Sequence, residues 1–206
     1  MKSKLAFATL LLLTLTAAHS YAQKSMEWGL KAGGNYFKVG GRSFDNTYNV
    51  SFSGGAYAEI NYSSKFTIQP ELIFNQVLAK TSAEFSNIYS SYQPVAFQLV
   101  SVDYIAVPIL LVYKPVPILS ILVGPQYGFA IAQTKNLLRA LPNTNAFERS
   151  ELALIFGAQM NLGKLKVGLR YQEGLTNVNA INSTDAWRTY GLQLYVGFQI
   201  KDRKLK

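Results

Sequence analysis

The sequence predicts an all-β protein: an eight-stranded antiparallel up-and-down transmembrane β-barrel over residues 23–206, preceded by a signal peptide over 1–22. Three observations predict it. Apolar and small polar residues alternate with period two along most of the chain. The connections between these stretches are short and long in turn, the wiring of an outer-membrane barrel. The composition is poor in charge and rich in glycine and aromatics: 15% of the 206 residues are charged, against about 25% in soluble domains. Fifteen glycines, 13 tyrosines and 12 phenylalanines suit strands better than helices.

The N-terminus reads as a processing signal. Lys2 and Lys4 precede an apolar run over 5–18, and Ser20-Tyr21-Ala22 sets small residues before a cut between Ala22 and Gln23. About 14 apolar residues fall short of the roughly 20 that a spanning helix needs. Elsewhere the longest apolar run, 104–113, contains Pro108 and ends at Lys114, so a helical span is not expected.

The strands follow in order. The first sets Trp28, Leu30, Ala32 and Tyr36 against Lys31, Gly33 and Asn35. Over 50–62, Phe52, Ala56, Ala58 and Ile60 oppose Ser51, Ser53, Tyr57 and Glu59; over 66–75, Phe66, Ile68, Leu72 and Phe74 oppose Thr67, Gln69, Glu71 and Asn75. The fourth, 99–113, is apolar on both faces, so its inward side cannot be assigned. In the fifth, Leu119, Ile121, Val123, Tyr127 and Phe129 oppose Ser120, Gly124, Gln126 and Gly128. The sixth sets Leu152, Leu154, Phe156 and Met160 against Gly157, Gln159 and Asn161, and the seventh Leu165, Val167, Leu169 and Tyr171 against Lys166, Arg170 and Gln172. The last sets Tyr190, Leu192, Leu194, Val196, Phe198 and Ile200 against Thr189, Gly191, Gln193, Gly197 and Gln199. Short connections lie at 63–65, 114–117 and 163–164, and long ones at 39–49, 78–97, 133–149 and 175–186.

Alternation alone does not say which face points inward, because a soluble barrel fills its interior with the apolar set. Two features choose the membrane arrangement. The polar faces carry Gly, Ser, Asn, Gln and Thr rather than the lysines and glutamates of a wetted surface. The apolar faces end in aromatics: Trp28, Tyr62, Phe66 and Phe198 near the short turns, and Tyr36, Phe52, Phe74, Tyr171 and Tyr190 near the loops. These would form two interfacial girdles. Pro70, Pro108 and Pro125 sit inside strands, where bulges or bends are expected to accommodate them.

Those prolines also carry a resemblance. Gln69-Pro70-Glu71-Leu72, the run 104–111 with Pro108, Gly124-Pro125-Gln126-Tyr127-Gly128 and the run 170–178 resemble, together and in order, the PorT-like outer-membrane β-barrel family of gram-negative bacteria. Ala106 departs from the polar residue common at that place. The resemblance implies an outer-membrane barrel. The family's namesake belongs to an envelope protein-secretion assembly, and the resemblance makes such a place an alternative role here.

The chemistry is mostly one of exclusion. The single histidine, His19, lies in the signal segment, and there is no cysteine. General-base catalysis of the usual kind and zinc or other transition-metal sites are therefore not expected, and no cofactor is. No glycine pair is followed by the Lys-Ser/Thr of a phosphate-binding loop. The formal net charge of +9 comes without a long basic cluster, so nucleic acid is not an expected partner. Expected partners are outer-membrane lipid and, by resemblance, envelope or secretion-machine proteins, with the barrel itself monomeric.

What remains on the polar faces is a charge cluster: Lys31, Glu59, Glu71, Lys166 and Arg170. It reads either as a lumenal site or ion path, or as a plug of mutually satisfied ion pairs. The narrow eight-stranded interior favours the plug. Arg170 is expected to pair with Glu59 or Glu71, with Gln69, Asn161, Gln172 and water solvating the surplus cation. In the last strand Gly191, Leu194, Val196 and Phe198 fit the loose pattern of a C-terminal assembly signal. The function this supports is a non-enzymatic outer-membrane barrel with a structural or loop-mediated role. The alternatives are a subunit of a secretion assembly and a small passive pore.

Overall fold

The computed structural model describes residues 25–134, 137, 138, 140, 145–182 and 184–204, the last four of these by their backbone alone. The expected signal segment and its Ala22–Gln23 cleavage lie outside the described residues. Eight strands close into a single barrel. They are β1 Ser25–Gly40, β2 Asn49–Asn61, β3 Phe66–Lys80, β4 Leu99–Val116, β5 Leu119–Gln133, β6 Ser150–Leu162, β7 Leu165–Gly174 and β8 Arg188–Lys204. Each pairs antiparallel with the next, and β1 closes the barrel on β8 along its whole length, from Ser25–Lys204 to Gly40–Arg188. Strands of 10 to 18 residues meet or exceed the roughly 9–11 that a tilted strand needs to cross a bilayer.

One of the short turns is tighter than the sequence implies. β4 and β5 are joined by Pro117-Ile118 alone, so Lys114, read as a turn residue, belongs to β4. Gly163-Lys164 joins β6 to β7, and Gly163 takes φ 66°, a left-handed conformation that favours glycine. Only that φ calls for glycine here, because a Cβ would meet nothing within 4 Å.

The alternation resolves in the membrane sense. Outward positions are large and apolar and stand bare: Leu30 is 54% exposed, Leu72 57% and Leu194 58%. The polar set points inward, with Glu59 at 0% and Arg170 at 2%. A water-soluble barrel would present the opposite pattern.

β4 now has an inward side: the even-numbered residues from Val100 to Val112, including Ala106 and Pro108. Its double apolarity has a physical cause. Leu110 and Val112 pack with Leu122 and Ile155 in an apolar lumenal cluster on the β4–β6 wall. Val100, Val102 and Tyr104 belong to a second apolar core at the loop end.

The bulges expected at the prolines are not there. Across β3–β4, Pro70 faces Ile109; across β4–β5, Pro108 faces Gln126, so the three rings fall on an oblique line over three strands. Bridging lapses near each ring, for instance between Tyr57–Glu71 and Ile60–Ile68, but the register is the same on both sides of every gap. Proline removes a donor without changing the spacing. The register shifts lie instead at Trp28/Gly29, Asp103/Tyr104 and Tyr113/Val116.

The long connections are structured. The segment between β3 and β4 carries a short helix, α1, Ala83–Ile88, and a further helical turn at Ser90–Tyr92.

Candidate functional site: a charged lumen beneath an apolar cap

The inward faces of β1, β2, β3 and β7 bring the five charged residues of the sequence into one buried network. Glu71 on β3 is held between Lys31 on β1 and Arg170 on β7: Lys31 Nζ donates to Oε1 at 2.5 Å and Arg170 Nη1 to Oε2 at 2.8 Å. The ion pair between Glu71 and Arg170 thus crosses the lumen, since β3 and β7 are not adjacent and share no neighbouring strand. Glu59 on β2 is held by Lys166 of β7 at one oxygen and by Lys114 of β4 at the other, the latter at 3.2 Å. Each carboxylate therefore bridges two cations drawn from different walls. Lys114, invisible as a lumenal residue while assigned to a turn, is the member the sequence reading missed.

Four cations against two carboxylates leave positive charge to be spread. Tyrosine rings do part of this. Lys31 Nζ lies 4.3 Å from the Tyr195 ring centre, Arg170 Cζ 5.4 Å from the same ring, and Lys166 Nζ 5.3 Å from that of Tyr57. The amides do not act as the sequence implied. Gln69 donates to Glu71 at 2.7 Å, Asn161 bonds Ser120 and the Pro117 carbonyl, and Gln172 accepts from Gln126. Gln193, opposite Arg170 in the β7–β8 register, is the amide whose oxygen accepts from Arg170 Nε. Its amide nitrogen continues the chain to Asn35 at 2.6 Å and Ser53 at 2.9 Å.

Nearer the loops, Glu151 on β6 points inward and accepts from the Thr189 hydroxyl, running close over Gly174. Above it the inward residues turn apolar. Phe37, Val39, Val77, Ala79, Val100 and Val102 from the strand ends meet Phe44, Phe85, Tyr89, Phe147 and Trp187 from the long connections in one buried core. Trp187, at 0% exposure, is its centre: its ring lies 4.9 Å from Phe44, edge-on, and 5.1 Å from Phe147.

A polar knot ties this cap. Asp185 accepts from the Ser43 amide at 2.8 Å, the Ser43 hydroxyl at 2.5 Å, the Arg42 amide at 3.2 Å and the Trp187 indole at 3.3 Å. Burial pushes the Asp185 carboxyl up, but the Ser43 hydroxyl and the amide donors outweigh it and hold the group below its ordinary value. A depressed folded value adds stability above the unfolded value, about 3.9, and that stability is lost as pH falls through the folded one. Acidification below about pH 4 should therefore loosen the cap. The fluorescence of Trp187, read alone in a Trp28→Phe background, should report this, and Asp185→Asn should abolish the acid transition. An unchanged acid midpoint in Asp185→Asn would contradict this role.

The remaining sequence candidates sit apart from the network. Leu194, Val196 and Phe198 face outward, while Gly191 faces inward against β1, where a Cβ would meet the Tyr36 carbonyl at 2.2 Å. Gly157 on β6 is equally closed, with the Leu169 carbonyl at 2.5 Å. Side chains at either position force neighbouring strands apart, so loss of Gly191 would disturb packing whether or not the last strand is read as a signal.

Fold and site together define a small membrane β-barrel: apolar outside, polar and ion-paired within, wired with short turns on one side and long loops on the other. The chain belongs to the outer membrane protein beta-barrel domain family, whose model matches residues 21–180, and it is an outer-membrane protein. Among solved structures it is similar to the attachment invasion locus protein Ail of Yersinia pestis, crystallised with the heparin analogue sucrose octasulfate. That match has 12% identity and a TM-score of 0.46, over 87% of this chain and 100% of that one. It is also similar to Neisserial surface protein A, at 12% identity and a TM-score of 0.47, over 85% and 97% of the two chains. No curated protein matches the chain significantly.

Proposed function

We propose that the protein is a non-enzymatic outer-membrane barrel whose lumen is plugged by its own side chains and whose role is exerted through its loops. The observation that carries this reading is the pair of carboxylates, Glu59 and Glu71, each clamped between two cations across the barrel. An eight-stranded interior has room for its side chains and little else, and a passive pore needs a continuous wet path past them. The apolar cap around Trp187 adds a second barrier. The absence of histidine and cysteine from residues 23–206 supports a role without catalysis.

Support for a loop-mediated role comes from Phe97. This bulky residue holds φ 57°, a left-handed conformation that L side chains avoid, and it is 61% exposed beside exposed Leu99. Such a conformation costs roughly 1–2 kcal/mol and turns an aromatic away from the core to which it would otherwise contribute. Affinity purification from detergent-solubilised envelopes should recover a surface or envelope partner with the wild-type protein and lose it with Phe97→Ala. Recovery of the same partner by both forms would count against the loop surface. Stoichiometric recovery of periplasmic or cytoplasmic-membrane proteins by both would favour the secretion-assembly role that the PorT-like resemblance implies.

A further inference from the structure

The outward face of β7, β8 and β1 changes character in three steps at the loop end. The register aligns Tyr171, Leu192 and Tyr36 in one row, then Glu173, Tyr190 and Lys38, then Arg188 beside Gly40. Below these rows the wall is aliphatic, with Leu169, Leu194, Leu30 and Val196 all exposed. Lys38 and Arg188 therefore stand where acyl chains give way to headgroups in the outer leaflet.

Among the described residues the two cations have no anionic partner. Lys38 Nζ donates to Asn46 and lies 4.7 Å from the Tyr48 ring centre and 5.1 Å from that of Tyr190. Tyr48 in turn stacks on Tyr36 at 4.9 Å. Among the described residues neither Lys38 nor Arg188 comes within 4 Å of a carboxylate, whereas Lys80 on another wall has Asp45 at 3.9 Å. Glu173, the acid on this wall, already accepts from the Tyr171 hydroxyl at 2.9 Å. Two cations without a carboxylate partner, one of them flanked by flat aromatic faces, at the head of an aliphatic wall, complement an anionic sugar.

We propose that this wall binds the phosphorylated glucosamine headgroup of an outer-leaflet glycolipid. Lys38 and Arg188 would take phosphate oxygens. Tyr36, Tyr48 and Tyr190 would lie against the pyranose rings. The acyl chains would run down the aliphatic rows of β8 and β1.

Native mass spectrometry of the purified protein in detergent, titrated with diphosphorylated lipid A, tests this. Saturable binding of the lipid is expected, weakened about fivefold for each cation removed in Lys38→Gln and Arg188→Gln. Arg149→Gln, where the chain enters β6 beside β5, should leave it unchanged. Glu173→Gln removes a nearby negative charge and should tighten binding; because it gains affinity, a folding defect cannot imitate the result. Lipid A stripped of both phosphates should bind as weakly as diphosphorylated lipid A binds the double variant. Equal affinity in the wild type and the double variant would overturn the proposal. So would displacement by inorganic phosphate at comparable concentration, which would assign the cations to a free anion.

Discussion

Glu71→Ala should destabilise the barrel by about 3–5 kcal/mol, the scale expected when one partner of a buried ion pair is removed and the other charge is left unpaired. Here two cations are orphaned together. Lys31 and Arg170 have side chains only 4% and 2% exposed, and neither can turn outward without entering lipid. Urea unfolding in detergent, followed by the mobility shift between folded and boiled protein on SDS gels, measures the loss. Glu59→Ala makes the comparison, and a smaller loss is expected. One of its partners, Lys114, is 18% exposed at the short-turn end, where water can solvate it. The loss at Glu71 should also be recoverable. A triple variant with Leu at 71 and Met at 31 and 170 removes the unpaired charges, and well-packed apolar replacements of buried ion networks are often neutral or stabilising.

Trp187→Ala should cost about 3–5 kcal/mol as well, but in a different part of the molecule. The indole packs against Phe44, Phe85, Tyr89 and Phe147, and its N–H donates to Asp185. Removing it opens a large cavity and takes away one of the four donors to Asp185, whose Oδ2 keeps the Ser43 amide and hydroxyl. The strands beneath do not depend on it: the β7–β8 register and the network around Glu71 lie below the cap. The expected result is therefore divided. Protease added to intact cells should cut within 81–98 or 175–187, while the barrel still resists SDS unless boiled. Coincident loss of both in Trp187→Ala would mean that cap and barrel fold as one cooperative unit.

The alternation on β2, β3, β6, β7 and β8 made the strands and their inward faces readable, because a two-sided environment writes a period of two into each of them. It failed on β4 for a reason visible in the packing. That strand's inward residues contribute to two apolar clusters, so both of its faces carry the same chemistry. The same logic hid the cap. Phe37 and Val39 continue the polar face of β1, and nothing in the local pattern says that the lumen turns apolar there. Lys114 was misplaced because Pro115 and Pro117 look like turn residues, although the turn needs only two residues. The charged network was legible as a set of inward positions. Its pairings were not, because they depend on the height of each residue within the barrel, and the stagger of the strands sets that height. Tyr57 and Tyr195, which shoulder the surplus charge, look in sequence like girdle aromatics in the wrong phase.

Single-channel recording in a planar bilayer tests most directly whether the barrel's own side chains close its lumen. The wild-type protein, reconstituted in folded form, should insert without producing ohmic steps across neutral pH. A variant lacking Trp187 and carrying Ala at 31, 71 and 170, if it refolds, should conduct under the same conditions. Stable, reproducible steps from the wild-type protein would contradict the account and make the barrel a passive pore.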